Sequence, residues 1–363
     1  MKLLIFPVDM DASEAFISVT RSLGIPLIGA TSVEKTTHHQ GIDQLVHLPY
    51  ITESGFDKTF ADTLKAHDIT HIYTPHPGVW TYLKQLNVKN IAHYSYQLCH
   101  PSPYQNNWLE YKASYDWAER ISVDNFLDGF DTRPGAGPHR QLTISEYAGL
   151  HKQFIRIAGQ CDVNKLTALT QILRLTPKGD LVEIGSLYGR SAFVIAWLSD
   201  RYRIGSFISI DPWSNDALES QGESATILHT DPETIDFEPI FKSYLSNMSL
   251  LNNVGYIRET SDRGVDKYRR AVDQGKLYSP EFSEITVSGS IALLHIDGNH
   301  GYAHVRQDIE LWEPYLASGG WLLLDDYLWA FGSGPQQAGD ELIGRGNFDL
   351  AFVASDTLFL RKI

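Results

Sequence analysis

Three carboxylates near the end of the sequence could together hold a metal ion. Asp297 follows the apolar run Ile291–Ile296, and Asp325 and Asp326 follow a second apolar run, Trp321–Leu324. Near-continuous apolar runs of this length are typical of parallel strands that are covered on both faces. Three like charges on neighbouring strand ends repel one another and need a counter-charge. A hard divalent cation with oxygen ligands, most commonly Mg²⁺, would supply that charge.

His300 could accept a proton beside this cluster. It stands three residues after Asp297, on the turn that opens an amphipathic segment at about 302–316. A strand–helix–strand unit places the ends of both strands on one edge of a parallel sheet. Open α/β sheets bind ligands at that edge. Taken singly, each of these residues is equally well explained as a turn or helix-cap residue. The complete set favours a functional site.

A glycine turn indicates a second ligand contact in the same half of the chain. In DLVEIGSLYGRSAF a predicted strand ends at Glu183, Gly185 and Gly189 bracket a turn, and a helix opens near Ser191. Glycine permits close backbone approach, and a helix N-terminus offers free N–H groups to a carboxylate or phosphate. The spacing is ExGxxxG and differs from the dinucleotide pattern GxGxxG. Asp211, one strand later, could accept hydrogen bonds from a ribose diol.

The first hundred residues predict a separate small domain. Five short apolar runs, the last of them NIAHYS, alternate with helical patterns, which favours a parallel α/β arrangement. The order resembles the domain that precedes the ATP-grasp fold in carboxylate–amine ligases. No glycine-rich loop follows the first strand, so we interpret residues 1–100 as an auxiliary module for docking, dimerisation or substrate presentation. That interpretation leaves a homo-oligomer open.

The rest of the chain divides into two predicted parts. Residues 101–160 are aromatic-rich with a Pro/Gly break, TRPGAGPHR, and we expect a helical linker or lid. Residues 161–363 form the predicted second domain. The long segment 213–253 and the glycine-rich segment 331–346 are its expected substrate-facing insertions. Its last two predicted strands, FDLAFVAS and TLFLRK, are so closely joined that they must pair antiparallel.

Composition excludes several classes of protein. The formal charge of −14 over 363 residues argues against a nucleic-acid partner, because that affinity depends on cationic contacts. No apolar run approaches the roughly 20 residues of a membrane helix. The start MKLLIFPVDMD lacks the layout of a signal peptide, and two cysteines suit a reducing compartment. We therefore expect a cytoplasmic enzyme that acts on a small molecule, without nucleic-acid or membrane partners.

These motifs together resemble one enzyme family. ExGxxxG, the acidic end of the next strand and the DGNH…GG…LLLDDY block are similar to class I S-adenosylmethionine-dependent methyltransferases. Within that class they resemble the metal-dependent macrocin O-methyltransferase and cephalosporin hydroxylase-like family over residues 160–363. The resemblance implies a Rossmann-like sheet, mostly parallel with one antiparallel strand near its edge, preceded by the small parallel α/β domain.

The resemblance also implies a role for each site residue. Glu183, Gly185 and Gly189 would hold the methionine end of S-adenosylmethionine, with Ser186 and Ser191 on the same turn. Asp211 would bind the ribose, while Ser261 and Asp262 would lie by the adenine. The implied Mg²⁺ ligands are Asp297, Asp325 and Asp326, and Asp297 also counts among the cofactor-binding residues. His300 would be the general base.

The resulting hypothesis is Mg²⁺-assisted transfer of a methyl group from S-adenosylmethionine to a hydroxyl of a small molecule. The family resemblance and the metal's need for two oxygen donors favour a sugar or glycosylated metabolite as the acceptor. One alternative is a catalytically lapsed binding protein that uses its N-terminal domain for docking. Another is hydroxylation, but non-haem iron ordinarily takes two histidines and one carboxylate, whereas three carboxylates favour Mg²⁺.

Overall fold

The computed structural model describes residues 1–34, 41–89, 95–124, 138–215 and 235–363. By its internal contacts the chain divides into two compact units, Met1–Ala113 and Ser114–Ile363. The boundaries expected from the sequence, at residues 100 and 160, stay a prediction. Among the described helices, none combines the length and apolar character that a membrane crossing requires.

The first unit is the small parallel α/β domain that the sequence predicts. Its elements are β1 (Leu3–Ile5), α1 (Asp11–Ser22), β2 (Leu27–Thr31), β3 (Gln44–His47), α2 (Phe56–Ala66), β4 (His71–Tyr73), α3 (Pro77–Lys89) and β5 (Gln97–Leu98), and α4 (Pro103–Ser122) continues into the second unit. The strands pair in parallel in the order β3-β2-β1-β4-β5. Apart from Ser95, the strand predicted at NIAHYS lies outside the described residues.

In the second unit, two helices follow α4 and precede the first strand of the central sheet. Its first half comprises α5 (Ile144–Arg156), α6 (Val163–Ile172), β6 (Asp180–Ile184), α7 (Arg190–Tyr202), β7 (Phe207–Ile210), α8 (Phe237–Met248), β8 (Val254–Ile257) and α9 (Ser261–Gln274). Helix α5 starts with a capping box, in which Thr143 and Glu146 satisfy each other's backbone N–H groups. Tyr147 and Phe154 of α5 are buried in the core of this unit.

Its second half carries the predicted strand–helix–strand block. It comprises the short strands β9 (Lys276–Leu277) and β10 (Ile285–Thr286), then β11 (Ile291–Ile296), α10 (Tyr302–Trp312), β12 (Leu316–Leu324), α11 (Gly334–Gly344), β13 (Phe348–Ala354) and β14 (Thr357–Lys362). Strand β12 starts earlier than the predicted run at Trp321. The register against β11 shifts between Ile291 and Leu293, and Gly320 fits there because a Cβ would lie 2.8 Å from the Ala317 carbonyl.

The seven-stranded sheet has the order β13-β14-β12-β11-β6-β7-β8. Strands β6, β7, β8, β11 and β12 run parallel, and β14 pairs antiparallel with both β12 and β13. The predicted mostly parallel sheet with one antiparallel strand near its edge is therefore confirmed. Strands β6 and β11 are buried along their whole length, so both faces of the sheet centre are covered.

Candidate active site

A cavity of about 620 Å³ lies at the carboxyl ends of the central strands of the second unit. Most site residues predicted from the sequence line this cavity: Gly185, Ser186, Ser191, Asp211, Ser261, Asp262, Asp297, His300, Asp325 and Asp326. Glu183 and Gly189 are not among the lining residues. One concave space thus brings together the predicted cofactor residues and the acidic cluster.

The glycine turn after β6 packs directly against the end of β11. Gly185 has a φ of +83°, and a Cβ on it would lie 2.2 Å from the backbone oxygen of Asp297. Gly189, with a φ of +86°, precedes α7, and its Cβ would approach the Tyr244 ring to 3.0 Å. Both positions therefore require glycine for backbone conformation and for space.

Asp211, at the end of β7, fixes the loops that border the cavity. Its Oδ2 accepts hydrogen bonds from the backbone N–H groups of Ser186 (2.8 Å) and Leu187 (3.0 Å), and its Oδ1 accepts from Trp213 N–H (2.7 Å). Burial raises the pKa of Asp211 and outweighs these hydrogen bonds, which lower it. Asp211 is among the residues that line the cavity, and its predicted contact with the ribose stays a prediction.

Glu183 lies beneath the cavity with no exposed surface. Its Oε2 accepts a hydrogen bond from Ser186 Oγ at 2.6 Å, and its Oε1 lies 2.8 Å from His295 Nδ1. Both carboxylate oxygens are therefore engaged by protein groups. In this position Glu183 can hold the glycine turn and the His295 ring, whereas its predicted contact with the cofactor remains untested.

The far end of the cavity contains a buried acid that sequence reasoning missed. Ser261 Oγ accepts a hydrogen bond from Trp312 Nε1 at 2.9 Å, and Asp262 follows at the start of α9. Asp308 of α10 lines the same end of the cavity. Burial raises the pKa of Asp308 to about 7, opposed by a hydrogen bond with Ser261 and assisted by the charge of Asp262. The signal in the sequence was the acidic residue Asp308 at a position of the helix that is buried.

The acidic cluster consists of two overlapping groups. The outer group comprises Asp297, His300 and Asp326, and the inner group comprises His295, Asp297 and Asp325. Within each group the potential ligand atoms lie within 4.8 Å of one another. Asp297 belongs to both groups, so the structure brings the three predicted carboxylates to one place. Carboxylate oxygens are suitable ligands for Mg²⁺, and the donor set fits such an ion.

Lys165 of α6 reaches the inner group, a contact that sequence reasoning missed. Its Nζ lies 2.6 Å from Asp325 Oδ1 and 3.9 Å from Asp297 Oδ2. Burial raises the pKa of Asp325, but the charges of Lys165 and His295 lower it by a larger amount. The net shift is downward. Burial raises the pKa of Asp297, and the charge of Asp325 adds to this effect. Part of the counter-charge predicted for the cluster is therefore built into the chain.

His300 is held at the mouth of the cluster. Its Nε2 lies 2.5 Å from Asp326 Oδ2, and its ring centre lies 4.7 Å from that of Trp329, which also lines the cavity. Neither ring nitrogen makes a hydrogen bond of regular geometry among the described residues, so Asp326 acts on the ring through its charge at close range. A carboxylate this close to one imidazole nitrogen can orient the ring as a general base requires.

Three residues other than glycine adopt left-handed backbone in the loops that follow central strands. Leu187, Trp213 and Asp326 have φ values of 47°, 42° and 53°, and Leu187 and Asp326 line the cavity. Such conformations cost about 1–3 kcal/mol each and concentrate at functional sites. Of the expected substrate-facing insertions, residues 216–234 lie outside the described residues, whereas segment 331–346 contains α11.

Replacing Gly185 by alanine is expected to lower the free energy of unfolding by roughly 1–3 kcal/mol, because a Cβ must meet the Asp297 carbonyl at a left-handed position. The shift is measured by urea unfolding. Gly149→Ala is the control, since Gly149 is an exposed glycine inside α5 with no atom within 4 Å of its added Cβ. The control should be neutral or more stable, because alanine favours helix. Equal stability of both variants would contradict the close approach.

Comparison with known proteins finds a family that is similar to part of this unit. Residues 182–327 match the family described as a methyltransferase domain. No curated protein sequence matches the chain.

Several solved structures overlap the chain loosely. The O-methyltransferase NovP is 16% identical with a TM-score of 0.39, over 55% of this chain and 80% of its own. The apo structure of CalS11, a TDP-rhamnose 3'-O-methyltransferase, is 14% identical with a TM-score of 0.38, over 72% and 96%. The MycE methyltransferase in complex with Mg, SAH and mycinamycin VI is 14% identical with a TM-score of 0.35, over 61% and 57%. At TM-scores and sequence identities this low, the similarity does not indicate what this chain binds.

Proposed function

We propose that this protein is a Mg²⁺-dependent O-methyltransferase that moves a methyl group from S-adenosylmethionine to a small-molecule acceptor, because residues 182–327 of its second unit match a methyltransferase domain. The single observation that carries this proposal is the shared cavity. The glycine turn with Asp211 and the acidic cluster with His300 border the same space. A methyl donor and an acceptor hydroxyl held there would be neighbours, as methyl transfer requires.

Different residues of the site would bind the cofactor, hold the metal ion and accept the proton. The turn at Gly185–Gly189, Asp211 and the pair Ser261–Asp262 would bind S-adenosylmethionine from its methionine end to its adenine. Asp297, Asp325 and Asp326 would hold Mg²⁺. When bound, the ion supplies a Lewis acid that lowers the pKa of the acceptor hydroxyl, and the cofactor supplies the methyl group. His300 would remove the hydroxyl proton, with Asp326 orienting its ring.

The acceptor we propose is a sugar or glycosylated metabolite. This choice depends on the resemblance of the DGNH…LLLDDY block to the macrocin O-methyltransferase-like family, and on the preference of a divalent ion for two oxygen donors. Vicinal oxygens on a sugar ring meet that preference.

Calorimetric titration with S-adenosylmethionine, with and without Mg²⁺, tests the cofactor assignment. A panel of nucleotide sugars and glycosides with methyl-labelled cofactor then tests the acceptor class. We expect cofactor binding, labelled product from at least one glycosidic acceptor, loss of transfer in excess chelator and recovery with Mg²⁺. Full transfer in excess chelator would contradict the metal assignment, and absence of cofactor binding would favour a lapsed binding protein.

A further inference from the structure

The acidic cluster contains a cation that belongs to the chain itself. The Lys165 side chain is 1% exposed, and its Nζ lies 2.6 Å from Asp325 Oδ1 and 3.9 Å from Asp297 Oδ2. Lys165 does not line the cavity, so an acceptor or cofactor bound there does not meet its ammonium group. Its geometry is that of a fixed charge and not that of a group that exchanges protons with substrate.

The Asp297 oxygen that this ammonium group approaches also lies near an unused nitrogen donor. His295 has no exposed surface, and its Nε2 lies 4.0 Å from Asp297 Oδ2 without a hydrogen-bond partner among the described residues. Its Nδ1 is held by Glu183 at 2.8 Å. An imidazole oriented by a carboxylate, together with two carboxylate ligands, is the donor set of a transition-metal site. The inner group His295, Asp297 and Asp325 provides this set.

A lysine ammonium and a divalent ion cannot both occupy the space that His295, Asp297 and Asp325 enclose, because two positive charges about 4 Å apart repel strongly inside a protein. We propose that Lys165 is the resident cation of the inner group. It holds Asp325 Oδ1 and closes the side of the group that His295 faces to metal ions, while Asp297, Asp325 Oδ2 and Asp326 stay open to the Mg²⁺ of the proposed function, on which this inference rests. Lys165 thereby acts as a positioning residue that keeps His295 out of the ligand set of the metal.

Cobalt(II) is the probe, because its visible absorption reports nitrogen ligation and its affinity can be measured without cofactor or acceptor. Lys165→Met removes the charge and retains an apolar side chain of similar length. We expect this variant to bind Co²⁺ roughly 10- to 100-fold more tightly than the wild type, the range over which neighbours of a metal site change affinity. The gain should disappear in the double variant Lys165→Met/His295→Gln. Lys242→Met, an exposed position on α8, is the control and should bind Co²⁺ as the wild type does.

A second comparison keeps Lys165 in place, so it does not depend on whether the lysine variant folds. His295→Gln alone should leave Co²⁺ affinity and spectrum unchanged, because Lys165 already closes the inner group. Loss of Co²⁺ affinity in His295→Gln would overturn the proposal, as would unchanged Co²⁺ binding in folded Lys165→Met. Methyl transfer that persists in excess chelator would instead overturn the Mg²⁺ dependence of the proposed function, and the Co²⁺ comparison would still test Lys165.

Discussion

Asp297→Asn is expected to lower kcat/KM for methyl transfer by about 10³-fold, since it removes a charge that both halves of the acidic cluster share. Its pKa is raised by burial and then by Asp325, so this carboxylate responds strongly to a positive ion placed beside it. Mg²⁺ affinity, measured by calorimetry, should fall in parallel with the rate. Asparagine has the same shape, so the cavity should keep its form.

Asp273→Asn is the matched control, because Asp273 is an exposed acid on α9 and lies outside the acidic cluster. Its activity and Mg²⁺ affinity should equal those of the wild type. An Asp297→Asn enzyme with near-normal activity in the presence of chelator would contradict a role for the cluster in catalysis.

His300→Ala should lower kcat by roughly 10²–10⁴-fold, the usual contribution of a general base. Affinity for Mg²⁺ and for S-adenosylmethionine should change little, because three carboxylates already supply oxygen ligands. The measurements are single-turnover rates, together with calorimetry for both ligands.

His304 is the matched histidine control, because it lies in the first turn of α10 and lines the same cavity without belonging to the cluster. His304→Ala is expected to reduce kcat far less than His300→Ala does. Recovery of the His300→Ala rate at high Mg²⁺ concentration would mean that His300 is a metal ligand, and the base would have to be sought elsewhere.

Much of the sheet could be predicted because its strands carry a local signal. Apolar runs ending in Glu183, Asp211, Asp297 and Asp325 predicted parallel strands whose carboxyl ends meet, and the structure places those ends together. The antiparallel end of the sheet followed from the short link between β13 and β14. In each case the residues that decide the geometry are close in sequence.

The inner half of the cluster could not be predicted in this way. Lys165 shares a helical stripe with Leu169 and Ile172, and a lysine on such a stripe ordinarily extends its charge to solvent. Which strand end it meets depends on how α6 packs against the sheet, and helical spacing does not contain that information. His295 was the one polar residue in an apolar run, a signal that pointed to burial without naming its partner.

The contact between Gly185 and Asp297 has a thermodynamic consequence. The turn that would receive the cofactor and the strand end that would receive the metal are separated by less than the space of one methyl group. A shift of either backbone segment on ligand binding would therefore press on the other and change the free energy of filling the second position. Such linkage is reciprocal, and the factor by which Mg²⁺ alters cofactor affinity must equal the factor by which cofactor alters Mg²⁺ affinity.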